Sequence, residues 1–123
     1  MSHATTTARP TSTLGVWIAA IRPATLWAGA VPVFVAAALA HAAGVSVGLA
    51  SLAALAGALL IQIGTNLVND YADFKTGADG PDRLGPARAA AQGWITPRAL
   101  CVGAGVALLG AALCGVYIVY VGG

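Results

Sequence analysis

The stretch NDYADFKTGADGPDRL, residues 69–84, decides how this chain is read. It follows directly on an apolar run and holds all four acidic residues of the 123-residue sequence. Its carboxylates stand where a hydrophobic helix leaves a membrane. Charge beside hydrocarbon is costly and is kept for ions, substrates or proton paths. Oxygen ligands grouped in this way suit a hard divalent cation such as Mg2+, which is held by carboxylates together with substrate phosphates.

The rest of the chain agrees with a membrane setting. It is 59% hydrophobic and 8% charged, whereas soluble domains carry roughly 25% charged residues. A lipid-crossing helix needs about 20 mostly apolar residues. Three stretches qualify, at about Pro23–Ala43, Val47–Tyr71 and Ala99–Val121. The expected fold class is therefore all-α, a polytopic membrane protein with three transmembrane helices. Residues 14–123 form the membrane domain, with an Asp-rich loop at 72–97. The Ser/Thr-rich residues 1–13 are expected to be a disordered tail. Ala40-His41-Ala42 resembles a signal-peptide cleavage site, but the apolar run before it exceeds the usual core of about 7–15 residues. It is read as a span.

Basic residues set the orientation. Arg9 and Arg22 precede the first span, and Lys75, Arg83, Arg88 and Arg98 lie between the second and third. The link around His41–Ser46 has no Lys or Arg. The positive-inside rule makes the N-terminus and the Asp-rich loop cytoplasmic, with the cell membrane as the expected location. No nucleic-acid partner is expected. Cys101 and Cys114 are both in the third span; at 1.5 Å per residue they are about 20 Å apart, which excludes a disulfide and leaves small packing residues.

On the second span Gln62, Asn66, Asn69 and Asp73 are spaced 4, 3 and 4, so they share one stripe, with Asp70 beside it. A polar line thus climbs from the cytoplasmic surface into the bilayer. Interhelical hydrogen bonding would account for Gln62 and Asn66 alone. It does not account for Asn69, Asp70 and Asp73 on the same side, at a helix C-terminus that disfavours negative charge. Beyond Asp73, Gly77, Gly80-Pro81 and Gly85-Pro86 break the helix. The loop can fold over a cavity mouth and present Asp79, Asp82, Lys75 and Arg83. Arg88 and Arg98 read as topology charges. Trp17, Trp27 and Trp94, near span ends, suit interfacial belts.

The run NDYADFKTGADGPDRLGPAR followed by QGWITP, together with RPATLWAGAVPVFVA at residues 22–36, resembles the UbiA superfamily of intramembrane aromatic prenyltransferases. The likeness is to its naphthoate-prenylating branch in menaquinone synthesis. It implies that the chain corresponds to the first part of a nine-helix bundle. It also implies Mg2+ held by two Asp-rich motifs, and transfer of a polyprenyl group from an isoprenoid diphosphate to 1,4-dihydroxy-2-naphthoate. Carried over residue by residue, Asp70 and Asp73 are the catalytic carboxylates. Asn69, Asp70, Asp73, Asp79 and Asp82 are metal ligands. Lys75 and Arg83 contact diphosphate, and Arg22 and Asn66 face the aromatic acceptor. Gly77 stands where the commonest family motif continues with Asp.

No acidic residue follows Asp82 to form the second motif. The chain is therefore read as a truncated enzyme or as half of a split one, and in the second case a polypeptide carrying the further helices is the expected partner. The same residues bear two other readings. A phosphatidyl-group transferase also uses membrane-boundary aspartates, but Asp79-Gly-Pro-Asp-Arg departs from its motif. A small three-span, non-enzymatic membrane protein with a cation- or partner-binding loop fits the length, but not the buried polar stripe.

Overall fold

The structure, a computed structural model, describes residues 12–76 and 93–122. These form α1 (Thr13–Ile21), a 3-10 turn (Pro23–Thr25), α2 (Leu26–Ala42), α3 (Gly48–Thr76) and α4 (Pro97–Gly122). No strand occurs among the described residues. Three stretches are long and apolar enough to cross a membrane: Thr13–Ala42, Gly48–Thr76 and Pro97–Gly122.

Local chemistry fixes the ends, and they differ from the hydropathy-based spans. Ser12 caps α1, its hydroxyl accepting from the Gly15 amide at 3.0 Å. The first stretch thus starts at Thr13, not near residue 23, and Thr13 belongs to a helix instead of the tail. Residues 1–11 lie outside the described residues. Thr96 caps α4 in the same manner, accepting from the Ala99 amide at 3.2 Å, with Pro97 at the first helical position where its missing N–H costs nothing. The second helix runs on past Tyr71 to Thr76. Asp73 and Lys75 are therefore helical, because no helix breaker occurs before Gly77.

Helix length matters for the site. α3 has 29 residues, which at 1.5 Å each is about 44 Å against about 30 Å of hydrocarbon. The surplus lets its C-terminal turns carry charge out of the apolar layer without leaving the helix.

α3 is the centre of the bundle, packing most extensively on α4, then on α2, and with its C-terminal half on α1. Between apolar helices in lipid, close backbone approach through small residues replaces the hydrophobic driving force. α4 turns Ala104, Ala107 and Ala111 inward. α3 answers with Gly57 and Gly64, both buried. A Cβ on Gly64 would fall 2.8 Å from the Leu108 side chain, and one on Gly29 of α2 would fall 3.1 Å from the Ala58 carbonyl oxygen. Gly64→Leu is expected to destabilise the α3–α4 pair by about 1–3 kcal/mol, through overpacking; thermal unfolding in detergent checks it.

The core lies at the acidic end of the bundle. Val16 and Ala20 of α1, Leu67 of α3, Ile95, and Leu100 and Ala104 of α4 are buried together, with Trp17, Tyr71 and Trp94 packed around them. Trp17 and Trp94 are thus part of this core and not only interface anchors. Trp27 is 65% exposed and stands outside this core. Large apolar residues elsewhere, such as Leu109, Val116 and Val119, point outward, a surface suited to lipid or further helices.

Candidate metal and diphosphate site

The polar residues of α3 divide by depth. Asp70 is 1% exposed and Asn66 4%. Gln62 and Asp73 are half-buried, while Asn69 and Lys75 are exposed. The inward line therefore centres on Asn66 and Asp70, one turn apart, and not on the Gln62–Asn66–Asn69–Asp73 stripe that spacing suggested. The α1 end meets α3 at Asn66, α4 packs along α3 beside it, and the Asn69 side stays open.

The turn between α1 and α2 supplies the facing wall. Pro23 has no N–H and restricts the residue before it, so α1 ends at Ile21. Arg22 then adopts left-handed backbone angles, φ 58° and ψ 74°. It is the one non-glycine residue with positive φ among those described, a conformation costing roughly 1–2 kcal/mol for a residue with a Cβ. The Arg22 amide closes α1 on the Ile18 carbonyl at 3.2 Å, and the Thr25 amide bonds the Arg22 carbonyl at 2.9 Å. Ile21 O thereby loses its usual helical donor, which would have been the Thr25 amide.

Asn66 supplies the replacement. Its Nδ2 donates to Ile21 O at 2.7 Å and to Thr25 Oγ1 at 2.8 Å. Thr25 Oγ1 in turn donates to Arg22 O at 2.9 Å. Ile21 O can only accept, which fixes the orientation of the amide, and both of its hydrogens are in use. The donor side of Asn66 is thus engaged with protein. This pin brings Arg22 to the level of Asn66, one helical turn from Asp70.

Arg22 is half-buried with its Nη2 enclosed, and Oδ1 of Asp70 is enclosed as well. Opposite charges thus lie inside the same end of the bundle. Asp70 and Asp73 are three residues apart on one helix, which sets their Cβ atoms about 5–6 Å apart. Two hard oxygen donors at that separation fit a Mg2+ ion that keeps waters and takes phosphate oxygens as its other ligands. No group of three His, Cys, Asp or Glu gathers among the described residues. Asp79, Asp82 and Arg83 lie outside the described residues. Lys75 Nζ sits 5.9 Å from the centroid of the Tyr71 ring one turn back. A surface groove between α2 and α3 is lined by other residues, Pro32, Ala36, Val47 and Ala54 among them, and includes none of Asn66, Asp70 and Asp73.

Thr25 and the Trp17–Trp94 support escaped the sequence reading; interhelical hydrogen bonding by Asn66 was within it, but not the partners, Ile21 O and Thr25 Oγ1. One signal was available: a proline within an apolar stretch leaves a carbonyl needing a donor, and an Asn on the neighbouring span can provide one.

A bundle of long apolar helices with carboxylates set into one polar end defines the class: a polytopic α-helical membrane protein. The particular family follows from comparison with known proteins. The chain belongs to the UbiA prenyltransferase family, whose model matches residues 29–122. It is 44% identical over 80 residues to the 1,4-dihydroxy-2-naphthoate octaprenyltransferase of Escherichia coli, covering 65% of this chain and 26% of that protein. The Mycobacterium tuberculosis protein of the same name is 39% identical over 105 residues, covering 83% of this chain and 35% of its own length. The Haemophilus influenzae protein of that name is 30% identical over 108 residues, covering 86% and 35%. The chain therefore spans about a quarter to a third of these relatives. No solved structure gives a significant match.

Proposed function

We propose that this chain provides the first metal- and diphosphate-binding portion of a Mg2+-dependent aromatic prenyltransferase. Its substrates are an isoprenoid diphosphate and 1,4-dihydroxy-2-naphthoate, and its product serves menaquinone synthesis. The observation carrying this reading is Asp70, a carboxylate 1% exposed inside a membrane bundle, with Asp73 one turn further along. Family membership and the names of the relatives support the chemistry.

Bound Mg2+ supplies charge neutralisation at the diphosphate oxygens. Asp70 and Asp73 hold it, with Asn69 and the aspartates 79 and 82 as further ligands. Lys75 and Arg83 contact diphosphate oxygens directly. The allylic C–O bond breaks and its electron pair leaves with the diphosphate. The ring carbon that bears the carboxylate bonds to the allylic carbon, and the ring regains aromaticity as that carboxylate departs as carbon dioxide, leaving its C–C electron pair in the ring. The apolar bundle keeps water from the allylic cation.

Membranes containing this chain, alone and with a polypeptide supplying further helices, test the reading. Mg2+-dependent prenylation of 1,4-dihydroxy-2-naphthoate is expected when the further helices are present. No product in either sample would favour the small, non-enzymatic membrane protein.

The protein lies in the cell membrane with its N-terminus and Asp-rich segment cytoplasmic, as the Lys/Arg distribution supports. Accordingly, a cysteine at Ser46, with Cys101 and Cys114 replaced, is expected to react with a membrane-impermeant maleimide from outside intact cells. Labelling only after the membrane is opened would reverse the orientation.

A further inference from the structure

We propose that Asn66 is a positioning residue: its amide ties the strained Arg22 turn to α3 and thereby sets the Arg22 guanidinium beside the Asp70–Asp73 carboxylates. Three observations carry this. Arg22 holds a left-handed backbone immediately before a proline, and such outliers persist only where surrounding structure over-determines them. Glycine would take these angles without strain, so an arginine here is of use through its side chain. The surrounding structure is one hydrogen-bonded unit. Asn66 Nδ2 bonds Ile21 O on one side of Arg22 and Thr25 Oγ1 on the other, and Thr25 Oγ1 bonds the Arg22 carbonyl itself. Finally, Asn66 and Asp70 are both buried and share one side of α3, so the element bracing the turn is the element bearing the carboxylate.

Asn66 then acts through Arg22 instead of touching the aromatic acceptor. A planar guanidinium suits phosphate oxygens or a carboxylate equally. Either ligand would meet Arg22 only while the turn is held. That ligand role rests on the prenyltransferase reading; the bracing of the turn does not.

Two measurements on the chain in lipid nanodiscs test the inference. Spin labels at Ala24→Cys in the turn and Ala72→Cys on α3, with Cys101 and Cys114 replaced, report the distance between them. A narrow distribution is expected in the parent and in Thr25→Ser, which keeps the hydroxyl. Broadened distributions are expected in Asn66→Leu and Thr25→Val, with helical content by circular dichroism unchanged. An unchanged distribution in both of the latter variants overturns the proposal.

The second measurement is affinity for Mg2+–pyrophosphate by calorimetry, as a double-mutant cycle. Asn66→Leu is expected to weaken binding about tenfold where Arg22 is present and less than about twofold in Arg22→Gly, a background that accepts the left-handed angles. Equal losses in both backgrounds would mean that Asn66 does not act through Arg22. No binding by the parent would count against the prenyltransferase reading, and the spin-label distances would still decide the role of Asn66.

Discussion

Asp70→Asn is expected to lower prenyl transfer by about a hundredfold or more, with little loss of folded protein. The substitution preserves volume while removing one negative charge and replacing one acceptor oxygen with an NH2 donor. At an exposed site that charge would be screened. Asp70 is 1% exposed, and charge interactions inside the low-dielectric bundle are several times stronger than in water. Loss of a single preorganised electrostatic partner at a reacting centre costs about 10²–10³ in rate in well-studied enzymes. The effect should be read with the further helices present, as kcat and as the Mg2+ concentration giving half-maximal rate. Raised Mg2+ should recover part of the rate if Asp70 is a ligand. Full activity in Asp70→Asn would remove it from the metal site and leave Asp73 as the helical carboxylate that matters.

Asn66→Leu is the change expected to cost most stability. Leucine is close in size, so little cavity or overlap arises. What is lost is a pair of hydrogen bonds, 2.7 and 2.8 Å long, at a site 4% exposed. Interhelical hydrogen bonds in membranes contribute on average about 0.6 kcal/mol and at most about 1.7. Leaving a buried carbonyl without a donor costs about 1–3 kcal/mol. Ile21 O is in the second situation because Pro23 has already displaced its helical partner. A loss of about 2–3 kcal/mol is therefore expected in reversible unfolding. Thr25→Val should cost about 1–2 kcal/mol, since the hydroxyl's bonds with Asn66 and with Arg22 O are lost while Ile21 O keeps its donor. Equal stability of Asn66→Leu and the parent would mean that the turn finds another donor.

The helical membrane fold was legible because hydrophobic length is a strong signal. Three runs of the required length, broken by Gly44 and by the polar stretch after Thr76, leave little choice. The helix ends were less legible. Hydropathy declines at Tyr71, yet nothing in Ala72–Thr76 opposes a helix, so α3 continues through charged residues. At the other end α1 was missed because Arg22-Pro23 reads as a helix start. It is instead a break inside a longer apolar stretch, since Ser12 already caps a helix upstream. The stripe on α3 was legible by spacing, but which side of it is buried was not. A rotation of about 100° per residue separates Asn69 from Asp70, and only the placement of the neighbouring helices decides that Asp70 turns inward and Asn69 outward. The Asn66 pin involves partners 41 and 45 residues away in sequence. Local patterning marks Asn66 as a donor and Pro23 as the source of a freed carbonyl, but does not pair them at that range.

The broken first crossing has a consequence for biogenesis. Ile21 O depends on a donor that lies 45 residues further along the chain and is synthesised that much later. If α1 and α2 moved into lipid by themselves, that carbonyl would face hydrocarbon, where an unsatisfied backbone group costs several kcal/mol. The first crossing is therefore best retained at the insertion machinery until α3 arrives, and the two should enter the bilayer together as a hairpin.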